Sequence, residues 1–167
     1  MRNIQFHKAR PEEFDTVLLL LKEATLWLRK KKIDRWQNWI LPAPNFIDWI
    51  KRGFERNEFY FIESEDVIIG CFRLLWQDPL TWGEQENNAG DIHSFTVSRN
   101  LAGQGIGKLV LNLIESHCRQ QGKETLRLDC SFNNKKLKTY YEEYGFKPVG
   151  EATVVGERVT LYEKRID

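Results

Sequence analysis

The chain has 167 residues, with 25 Lys and Arg against 24 Asp and Glu, which gives a formal net charge of +1. This length suits one domain with a substantial core, and we expect a single domain over residues 1–167. The balanced charge gives no general attraction to nucleic acid or to anionic membranes, so we expect neither as a partner. The amino-terminal residues lack the apolar core of a signal peptide and no apolar run is long enough to cross a bilayer, which indicates a cytoplasmic protein.

The chain contains three cysteines, Cys71, Cys118 and Cys130. Their odd number and the lack of Cys-x-x-Cys spacing argue against a disulfide framework and against a zinc site, and we expect no bound metal. A reducing compartment fits this pattern, which again favours the cytoplasm.

The predicted elements begin with a strand at Ile4–Lys8 and a helix whose first turn carries Pro11 and two acids. Apolar residues at helical spacing continue this helix: Phe14, Val17, Leu18, Leu21 and Leu28. Four of the six tryptophans lie between residues 27 and 54, where Pro42 and Pro44 predict two helical pieces around a loop.

Two strands follow, over residues 59–63 and 67–76, and we expect a tight connection between them at Glu65-Asp66. A polar loop over residues 78–90 then leads to a strand at residues 92–97. This strand ends just before a glycine-rich segment.

Three glycines, at positions 103, 105 and 107, form a turn between that strand and a helix. The helix has one apolar face: Ile106, Leu109, Val110, Leu113 and Ile114. Three more strands and one more helix complete a mixed α/β pattern: strands at residues 125–130, 149–155 and 158–165, and a helix over residues 137–144. The last two strands are predicted to form a hairpin with a type II′ turn at Gly156-Glu157.

The glycine turn has the properties of an anion-binding loop. Glycine permits the positive φ that such a turn needs and lets an anion approach the backbone. The first N–H groups of the following helix have no partner within the helix, and the helix dipole adds partial positive charge there. The turn therefore predicts a pyrophosphate site, and a tight turn that binds nothing is the alternative.

Two nucleotide-binding motifs fit this loop poorly. A Walker A loop needs glycine at position 102 and serine or threonine at 109, where the chain has Ala102 and Leu109. A Rossmann fingerprint needs Gly-x-Gly-x-x-Gly, whereas the spacing here is Gly-x-Gly-x-Gly. Asp129, at the end of the next strand, imitates the ribose-binding acid of that fingerprint and leaves a small dinucleotide-binding protein as an alternative.

The loop resembles the acetyl-CoA loop of the GNAT N-acetyltransferase superfamily, Gln/Arg-x-x-Gly-x-Gly/Ala. Gly105 and Gly107 match its glycine end. Ala102 is a departure, because that family usually has Arg or Gln at this position. Arg99 and Lys108 are the nearby cations that would replace the missing side chain.

A second segment resembles the signature Asn-x-x-(Ala/Leu)-x-x-x-Tyr-x-x-x-Gly-Phe of the same superfamily. Its members in register are Asn134, Leu137, Tyr141, Gly145 and Phe146. The two motifs occur in the order that the family requires, with a helix and a strand between them, and the resemblance covers roughly residues 91–150. It implies the GNAT fold, an α/β (α+β) arrangement with a mixed, mostly antiparallel sheet of about six or seven strands flanked by about four helices.

The resemblance also implies an activity, the transfer of acetyl from acetyl-CoA to a primary amine of a small molecule or peptide. The transfer would occur by direct attack in a ternary complex. The cofactor-binding residues that it implies are Phe95, Thr96, Val97, Ala102, Gly103, Gln104, Gly105, Ile106, Gly107, Lys108, Asn134 and Tyr141. Tyr141 would also act as the acid that protonates the CoA thiolate, while Asn134 is expected to cap its helix or to hold the cofactor arm.

Direct attack requires a base, because amines such as lysine have a pKa near 10. Strand alternation places Asp91, His93 and Phe95 on one face, and Asp91 and His93 are the candidates. A hydrogen-bonded structural histidine and a carboxyl that caps the start of the strand are the alternatives for these two residues.

The acceptor site is predicted from aromatic and acidic residues, which together suit a cationic amine. The candidates are Trp27, Trp36, Trp82 and Glu84. Burial in the core is the alternative for the tryptophans.

Two other functions remain open from the sequence, a non-catalytic acyl-CoA-binding or sensor module and the small dinucleotide-binding protein. The tyrosine and the ionisable pair on the strand favour the acetyltransferase over the sensor. The sequence also leaves open whether the chain acts alone or as a homodimer.

Overall fold

The computed structural model describes residues 3–166 and contains seven strands, five α-helices and three short 3₁₀ turns within them. The strands are β1 (Ile4–Lys8), β2 (Phe59–Ser64), β3 (Val67–Leu75), β4 (Ala89–Val97), β5 (Thr125–Ser131), β6 (Lys147–Val154) and β7 (Glu157–Arg165). The helices are α1 (Phe14–Lys30), α2 (Pro44–Glu55), α3 (Pro79–Trp82), α4 (Ile106–Gln120) and α5 (Lys135–Tyr144). The 3₁₀ turns are Pro11–Glu13, Gln37–Trp39 and Arg99–Leu101.

The strands form one sheet in the order β1-β2-β3-β4-β5-β7-β6. The pairs β1–β2, β2–β3, β5–β7 and β6–β7 are antiparallel, and β4–β5 is parallel. The predicted mixed, mostly antiparallel sheet is therefore confirmed. In the parallel pair Asp91 lies opposite Arg127, which places an acid and a base side by side on neighbouring strands.

The chain divides into two compact units, one of residues 3–73 and 94–110 and the other of residues 74–93 and 111–166. The chain passes between the units within β3, within β4 and within α4. The single domain expected over residues 1–167 stays a prediction.

The core of the first unit lies where α1 and α2 pack on β2 and β3. Its buried members are Ala9, Val17, Leu21, Trp39, Ile50, Phe59, Phe61 and Cys71. Val17 and Leu21 are one helical turn apart, so the spacing that predicted α1 also identifies its buried face. Arg73 is buried beside this core, where its guanidinium bonds Glu58 and lies 4.0 Å from the Trp49 ring centre.

The second unit buries the apolar faces of α4 and α5 and the inner face of β5 and β7. The buried residues here include Leu111, Ile114, Cys118, Leu126, Leu128, Phe146, Val159 and Tyr162. Helix α5 has both of its predicted ends. The Asn134 side chain accepts a bond from the Leu137 N–H (3.1 Å), and Gly145 ends the helix with a φ of 108°.

The two helical pieces predicted around Pro42 and Pro44 are the Gln37–Trp39 turn and α2, and Pro44 occupies the first position of α2, where its missing N–H has no partner to lose.

Two local predictions need correction. The polar loop over residues 78–90 contains α3, because the Asp78 carboxylate accepts the Thr81 N–H and Pro79 occupies the first helical position. Leu109 was assigned to the apolar face of α4 but is 45% exposed, because it lies at the rim of that face.

The closing hairpin has a different turn from the predicted one. Val154 pairs with Glu157, so the two turn residues are Val155 and Gly156. Their φ values are 49° and 77°, as a type I′ turn requires, and the predicted type II′ turn at Gly156-Glu157 is wrong. The tight connection predicted at Glu65-Asp66 is confirmed, and both residues there also have positive φ.

No helix within residues 3–166 is both long and apolar enough to cross a membrane. Within the described residues the three cysteines form no disulfide, and all three are buried. Burial raises the pKa of Cys71 and of Cys118 to about 12, so both stay protonated thiols at neutral pH.

Candidate active site

The carboxyl-terminal end of β4 lies unusually close to β3. A Cβ atom on Gly70 would lie 2.1 Å from the Thr96 carbonyl oxygen, so any larger residue at position 70 would push the strands apart. The Ser98 N–H also donates to the Ile69 carbonyl (2.6 Å). These contacts fix the backbone of Thr96 and Val97, two residues predicted to bind the cofactor.

Ser94 interrupts β4 with a φ of 51°. Regular alternation therefore holds for Asp91 and His93, but it does not continue through Ser94 to Phe95. The shared face that we predicted for all three residues applies only to the first two. Ser94 therefore divides β4 into two parts. The part before Ser94 carries Asp91 and His93, and the part after it carries the residues predicted to bind the cofactor.

The predicted pyrophosphate loop has the expected backbone. Gly103 and Gly105 have φ values of 77° and 73°, and the space beside the Cβ position of each is open to 4 Å. Helix α4 begins at Ile106, and the Gly105 carbonyl accepts the Leu109 N–H (3.2 Å) as the first bond of the helix. Two left-handed glycines with open space beside them, followed by the start of a 15-residue helix, fit a bound pyrophosphate.

A cavity of about 260 Å³ lies between α1 and the end of β4. Its lining residues are Leu20, Glu23, Ala24, Trp27, Thr96, Val97, Ser98, Arg99 and Asn100. Trp27, predicted to bind the acceptor, thus shares a cavity with Thr96 and Val97, predicted to bind the cofactor. Glu23 was missed by the sequence analysis, although its position one turn before Trp27 on α1 places both side chains on one face.

A second cluster of functional side chains surrounds His93. Its Nε2 lies 2.8 Å from Asp78 Oδ2, and its Nδ1 lies 4.0 Å from Asp129 Oδ1. Asp78 was predicted only as the start of a loop, and Asp129 only as an imitation of a ribose-binding acid. The Asp-Pro pair at residues 78–79 is the one local pattern that could have placed Asp78 at a structured position, because this pair is typical of a capped helix start.

The acids around His93 control its protonation. Burial lowers the pKa of His93, but the hydrogen bond to Asp78 and the charges of Asp129, Asp78 and Asp91 raise it more, so that the net shift is upward. Burial raises the pKa of Asp78, but the bond and charge of His93 and the bonds from Thr81 together lower it more, so that the net shift is downward. The cluster therefore favours the protonated form of His93 and the ionised form of Asp78.

Asp91 lies in surroundings that favour its protonated form, in contrast to Asp78. It is 2% exposed, and within the described part of the chain its Oδ1 is buried without a hydrogen-bond partner. Burial, helped by the charge of Asp78, raises the pKa of Asp91 to about 6 against the opposing charges of His93 and Arg127. Asp91 therefore loses its proton near pH 6, and one of its buried oxygens lacks a hydrogen-bond partner among the described residues.

Tyr141 is buried on α5 among aromatic rings. Its ring centre lies 5.5 Å from that of Tyr140, 5.8 Å from that of Phe146 and 6.4 Å from that of Tyr162. The Phe146 N–H donates to the Tyr141 carbonyl (3.0 Å) at the end of the helix. The Gly-Phe pair of the second motif therefore closes the helix over Tyr141 and packs against its ring.

The other residues predicted for the acceptor lie in different surroundings. Trp36 packs against the core of the first unit, and its carbonyl accepts the Thr25 hydroxyl (3.0 Å). Trp82 ends α3, where the Arg127 guanidinium lies 4.9 Å from its ring centre. Glu84 is exposed in the loop that follows.

Among residues 3–166, no group of three or more His, Cys, Asp or Glu side chains could hold a metal ion. The charged groups and hydrogen bonds around His93 are of the kind that suit proton transfer or the binding of a cation.

Comparison with known proteins agrees with this fold. The model of the acetyltransferase (GNAT) family matches residues 20–146, and the chain belongs to this family. The uncharacterized N-acetyltransferase YesJ of Bacillus subtilis (strain 168) is 27% identical over 161 residues, which cover 93% of this chain and 86% of that protein.

Solved structures show the same fold. A GNAT family acetyltransferase from Listeria monocytogenes 4b F2365 superimposes with a TM-score of 0.78 at 22% identity, over 97% of this chain and 94% of that one. A GNAT family acetyltransferase from Streptococcus agalactiae 2603 superimposes with a TM-score of 0.78 at 19% identity, over 97% of this chain and 95% of that one. The predicted family and fold class are confirmed.

Proposed function

We propose that this chain transfers the acetyl group of acetyl-CoA to a primary amine of a small molecule or peptide, by direct attack in a ternary complex. One observation carries the proposal. Asp91 is a buried carboxylate with an unpartnered oxygen and a pKa of about 6, on the strand that continues into Thr96, Val97 and the glycine loop. This places a base on the element that leads to the proposed cofactor site.

Acetyl-CoA would supply an acetyl group activated as a thioester. The backbone of Phe95, Thr96 and Val97 would bond the amides of its pantetheine arm as an added strand. The N–H groups at the start of α4 would bind the pyrophosphate, and the open space beside Gly103 and Gly105 supports this. A backbone N–H near Phe95 would polarise the thioester carbonyl.

Asp91 is a better candidate for the base than His93. An amine with a pKa near 10 arrives as an ammonium and must lose a proton before it attacks. The hydrogen bond to Asp78 and the charges of the neighbouring acids raise the pKa of His93, which favours the imidazolium over the neutral ring that a base needs. Asp91 is ionised above pH 6 and its Oδ1 is available, directly or through a water.

The charges of the His93 cluster favour a cationic acceptor. The carboxyl groups of Asp78, Asp91 and Asp129 outnumber the cationic groups beside them, His93 and Arg127, in this part of the second unit. Such a site attracts an ammonium group and holds it beside the base. This supports a cationic primary amine as the acceptor class.

Tyr141 would protonate the departing thiolate. A free thiol has a pKa near 8.5, so a neighbouring phenol can donate a proton or a hydrogen bond to the sulfur as it leaves. The ring is held by Tyr140, Phe146 and Tyr162, which would restrict the direction of its hydroxyl.

Release of free CoA from acetyl-CoA, measured with a thiol reagent against a panel of primary amines, tests the proposal. We expect release that depends on the amine and is fastest with cationic acceptors. Binding of acetyl-CoA without release for any amine would favour the non-catalytic binding module. Binding of NAD without acetyl-CoA would favour the dinucleotide-binding alternative.

A further inference from the structure

We propose that the acceptor carries two ammonium groups, as a diamine does, and that Glu163 binds the one that is not acetylated. This inference rests on the proposed function, because it takes Asp91 as the base that prepares the attacking amine. It concerns residues of the second unit alone, on β4, β5 and β7 and in the segment around α3.

Three charged residues form a row across neighbouring strands of the sheet. Asp91 lies opposite Arg127 where β4 pairs with β5, and Arg127 lies opposite Glu163 where β5 pairs with β7. Residues that lie opposite one another point to the same face of a sheet, so the row places Arg127 between two carboxylates. Because neighbouring strands are about 4.8 Å apart, the Cα atoms of Asp91 and Glu163 are about 10 Å apart.

The bonds of Arg127 are directed away from Asp91. Its Nε donates to Glu163 Oε1 (2.8 Å), its Nη2 donates to Gln85 Oε1 (3.1 Å), and its guanidinium lies 4.9 Å from the Trp82 ring centre. Asp91 is 2% exposed, and its Oδ1 is buried without a hydrogen-bond partner among the described residues. A buried carboxylate without a partner is costly, and an ammonium group of a ligand would supply the missing donor.

Glu163 has an oxygen left for a second cation. Its side chain is 33% exposed, and the bond to Arg127 uses only Oε1, while Oε2 makes no hydrogen bond to any of the described residues. Burial is the main cause of the raised pKa of Asp91, and the charge of Glu163 adds to it, so the two carboxylates are close enough to repel one another. A cation bound at Glu163 would relieve part of that repulsion.

The groups beside the row add to its negative charge. The carboxyl groups here are those of Asp78, Asp91, Asp129 and Glu163, and the cationic groups are those of His93 and Arg127. Carboxyl groups thus outnumber cationic groups by more than one. An acceptor with two ammonium groups balances this charge better than an acceptor with one.

A second ammonium group also keeps its attraction during the reaction. The attacking ammonium group gives one proton to Asp91, and its nitrogen then bonds the acetyl carbon while the carbon–sulfur bond breaks and CoA leaves as a thiolate. Another proton of that nitrogen passes to the thiolate, which becomes the CoA thiol. The nitrogen is therefore neutral when it attacks, and only the second ammonium group still binds by charge, at Glu163.

A butyl chain suits the spacing of the two carboxylates. Its terminal nitrogens lie about 6 Å apart, and a hydrogen bond of about 3 Å at each end covers the remaining distance. Butylamine, aminobutanol, aminobutyrate and diaminobutane share this chain and one attacking primary amine. They differ only in the group at the other end, which makes them a matched set of acceptors.

CoA release with these acceptors tests the substrate class in the wild-type protein. The value of kcat/KM per amine group should be at least about tenfold higher for diaminobutane than for butylamine, as expected for a charge-assisted hydrogen bond. Aminobutanol should resemble butylamine because a hydroxyl adds no charge, and aminobutyrate should be poorer because its carboxylate is repelled. The advantage of diaminobutane should shrink with added salt.

Glu163→Gln tests the residue, at a pH well above the pKa of Asp91. The amide oxygen can still accept the Arg127 bond, so the melting temperature should change little. The kcat/KM for diaminobutane should fall about tenfold, and that for butylamine should stay the same. Glu151→Gln is the matched control, because Glu151 also bonds an arginine of the neighbouring strand, Arg158, and it should leave both acceptors unchanged.

Equal kcat/KM per amine group for diaminobutane and butylamine would overturn the inference and leave the proposed function in place. Equal losses with both acceptors in Glu163→Gln would do the same, since a structural role predicts that result, and so would a matching loss in Glu151→Gln. A preference for aminobutyrate would show that Arg127 binds a carboxylate and would contradict a dicationic acceptor. No CoA release with any amine, while acetyl-CoA binds, would overturn the proposed function together with this inference.

Discussion

Asp91 and His93 lie two residues apart on β4, yet their surroundings give them opposite protonation behaviour. Burial without a partner raises the pKa of Asp91 to about 6 and makes it a usable base. Two neighbouring acids, Asp78 and Asp129, raise the pKa of His93 and so favour its cationic form. The residue type alone would have favoured the histidine, and its contacts reverse that choice.

Asp91→Asn should lower kcat about a hundredfold, because the amide cannot accept the ammonium proton. The wild-type rate should rise as the pH passes about 6, where Asp91 loses its proton, and this rise should be absent in the variant. The measurement is a pH profile of kcat/KM for both proteins. A rise near pH 6 that persists in Asp91→Asn would show that another group is the base.

The same variant should not lose stability at neutral pH. Because the folded-state pKa of Asp91 is raised, its contribution to folding is favourable at low pH and is lost as the pH rises through about 6. Removing the buried charge should keep or raise the melting temperature at pH 7. Glu86→Gln, an exposed acid in the nearby loop, is the control for activity and stability.

Asp78→Asn should lower the pKa of His93, because it removes the hydrogen bond that most strongly raises it while burial still favours the neutral ring. NMR titration of the assigned His93 ring measures this shift. In the wild type, protonated His93 stabilises the fold below about pH 6.5, and that contribution is lost as the pH rises through its higher folded-state pKa. An unchanged His93 pKa in Asp78→Asn, or an equal shift in the exposed control Asp66→Asn, would contradict this account.

Tyr141→Phe should lower kcat about tenfold and leave the dissociation constant of acetyl-CoA unchanged. The phenyl ring keeps the packing with Phe146 and Tyr162, so the change isolates the hydroxyl. Tyr140→Phe, on the neighbouring residue of the same helix, is the control and should keep its turnover. Equal kcat for the wild type and Tyr141→Phe would remove the hydroxyl from the mechanism.

At the scale of the elements, the β6–β7 hairpin carries a residue poorly suited to its conformation. Val155 has a φ of 49° in a type I′ turn, where asparagine and glycine are preferred and a β-branched side chain is strained. The residue is also 69% exposed, so its side chain contributes little burial in return. The turn is therefore a site where a single change should stabilise the fold.

Val155→Asn should raise the free energy of unfolding by about 1 kcal/mol, because asparagine tolerates positive φ. Urea unfolding at neutral pH measures the change. Val149→Asn, at an exposed valine of β6, should give no gain and is the control. A less stable Val155→Asn variant would mean that the valine side chain contributes more to the folded state than its strain costs.

Local patterns predicted most of the elements and the two motifs, while long-range contacts could not be predicted. The Asn134 cap, the Gly145 helix end and the glycine loop depend on neighbouring residues, so sequence spacing is enough to identify them. The Asp78–His93 bond depends on how α3 is placed beside β4, and the Arg99–Trp27 contact depends on how α1 packs near the end of that strand. No local pattern specifies either placement.

The hairpin turn shows a second limit of local reasoning. Gly156 suggested a turn that begins at glycine, whereas the pairing of Val154 with Glu157 makes glycine its second residue. Strand register sets the turn, and register is fixed by side chains along both strands and not by the turn residues alone. An error of one residue therefore changed the predicted turn type.

At the scale of the whole molecule, the chain has the fold of the acetyltransferase (GNAT) family and two sets of residues suited to acetyl transfer. One unit contains the glycine loop, and the other contains Asp91, the His93 cluster and Tyr141. In the proposed reaction the residues of the first unit would bind the donor, and those of the second would handle protons.

The most direct test follows the acetyl group itself, with acetyl-CoA labelled in its acetyl carbons. Direct attack in a ternary complex predicts that label stays on CoA when protein and acetyl-CoA are mixed alone, and moves to the amine once a primary amine is added. It also predicts that Asp91→Asn transfers label far more slowly. Label bound covalently to the protein before any amine is added, or label that never leaves CoA for any amine while acetyl-CoA binds, would contradict the account.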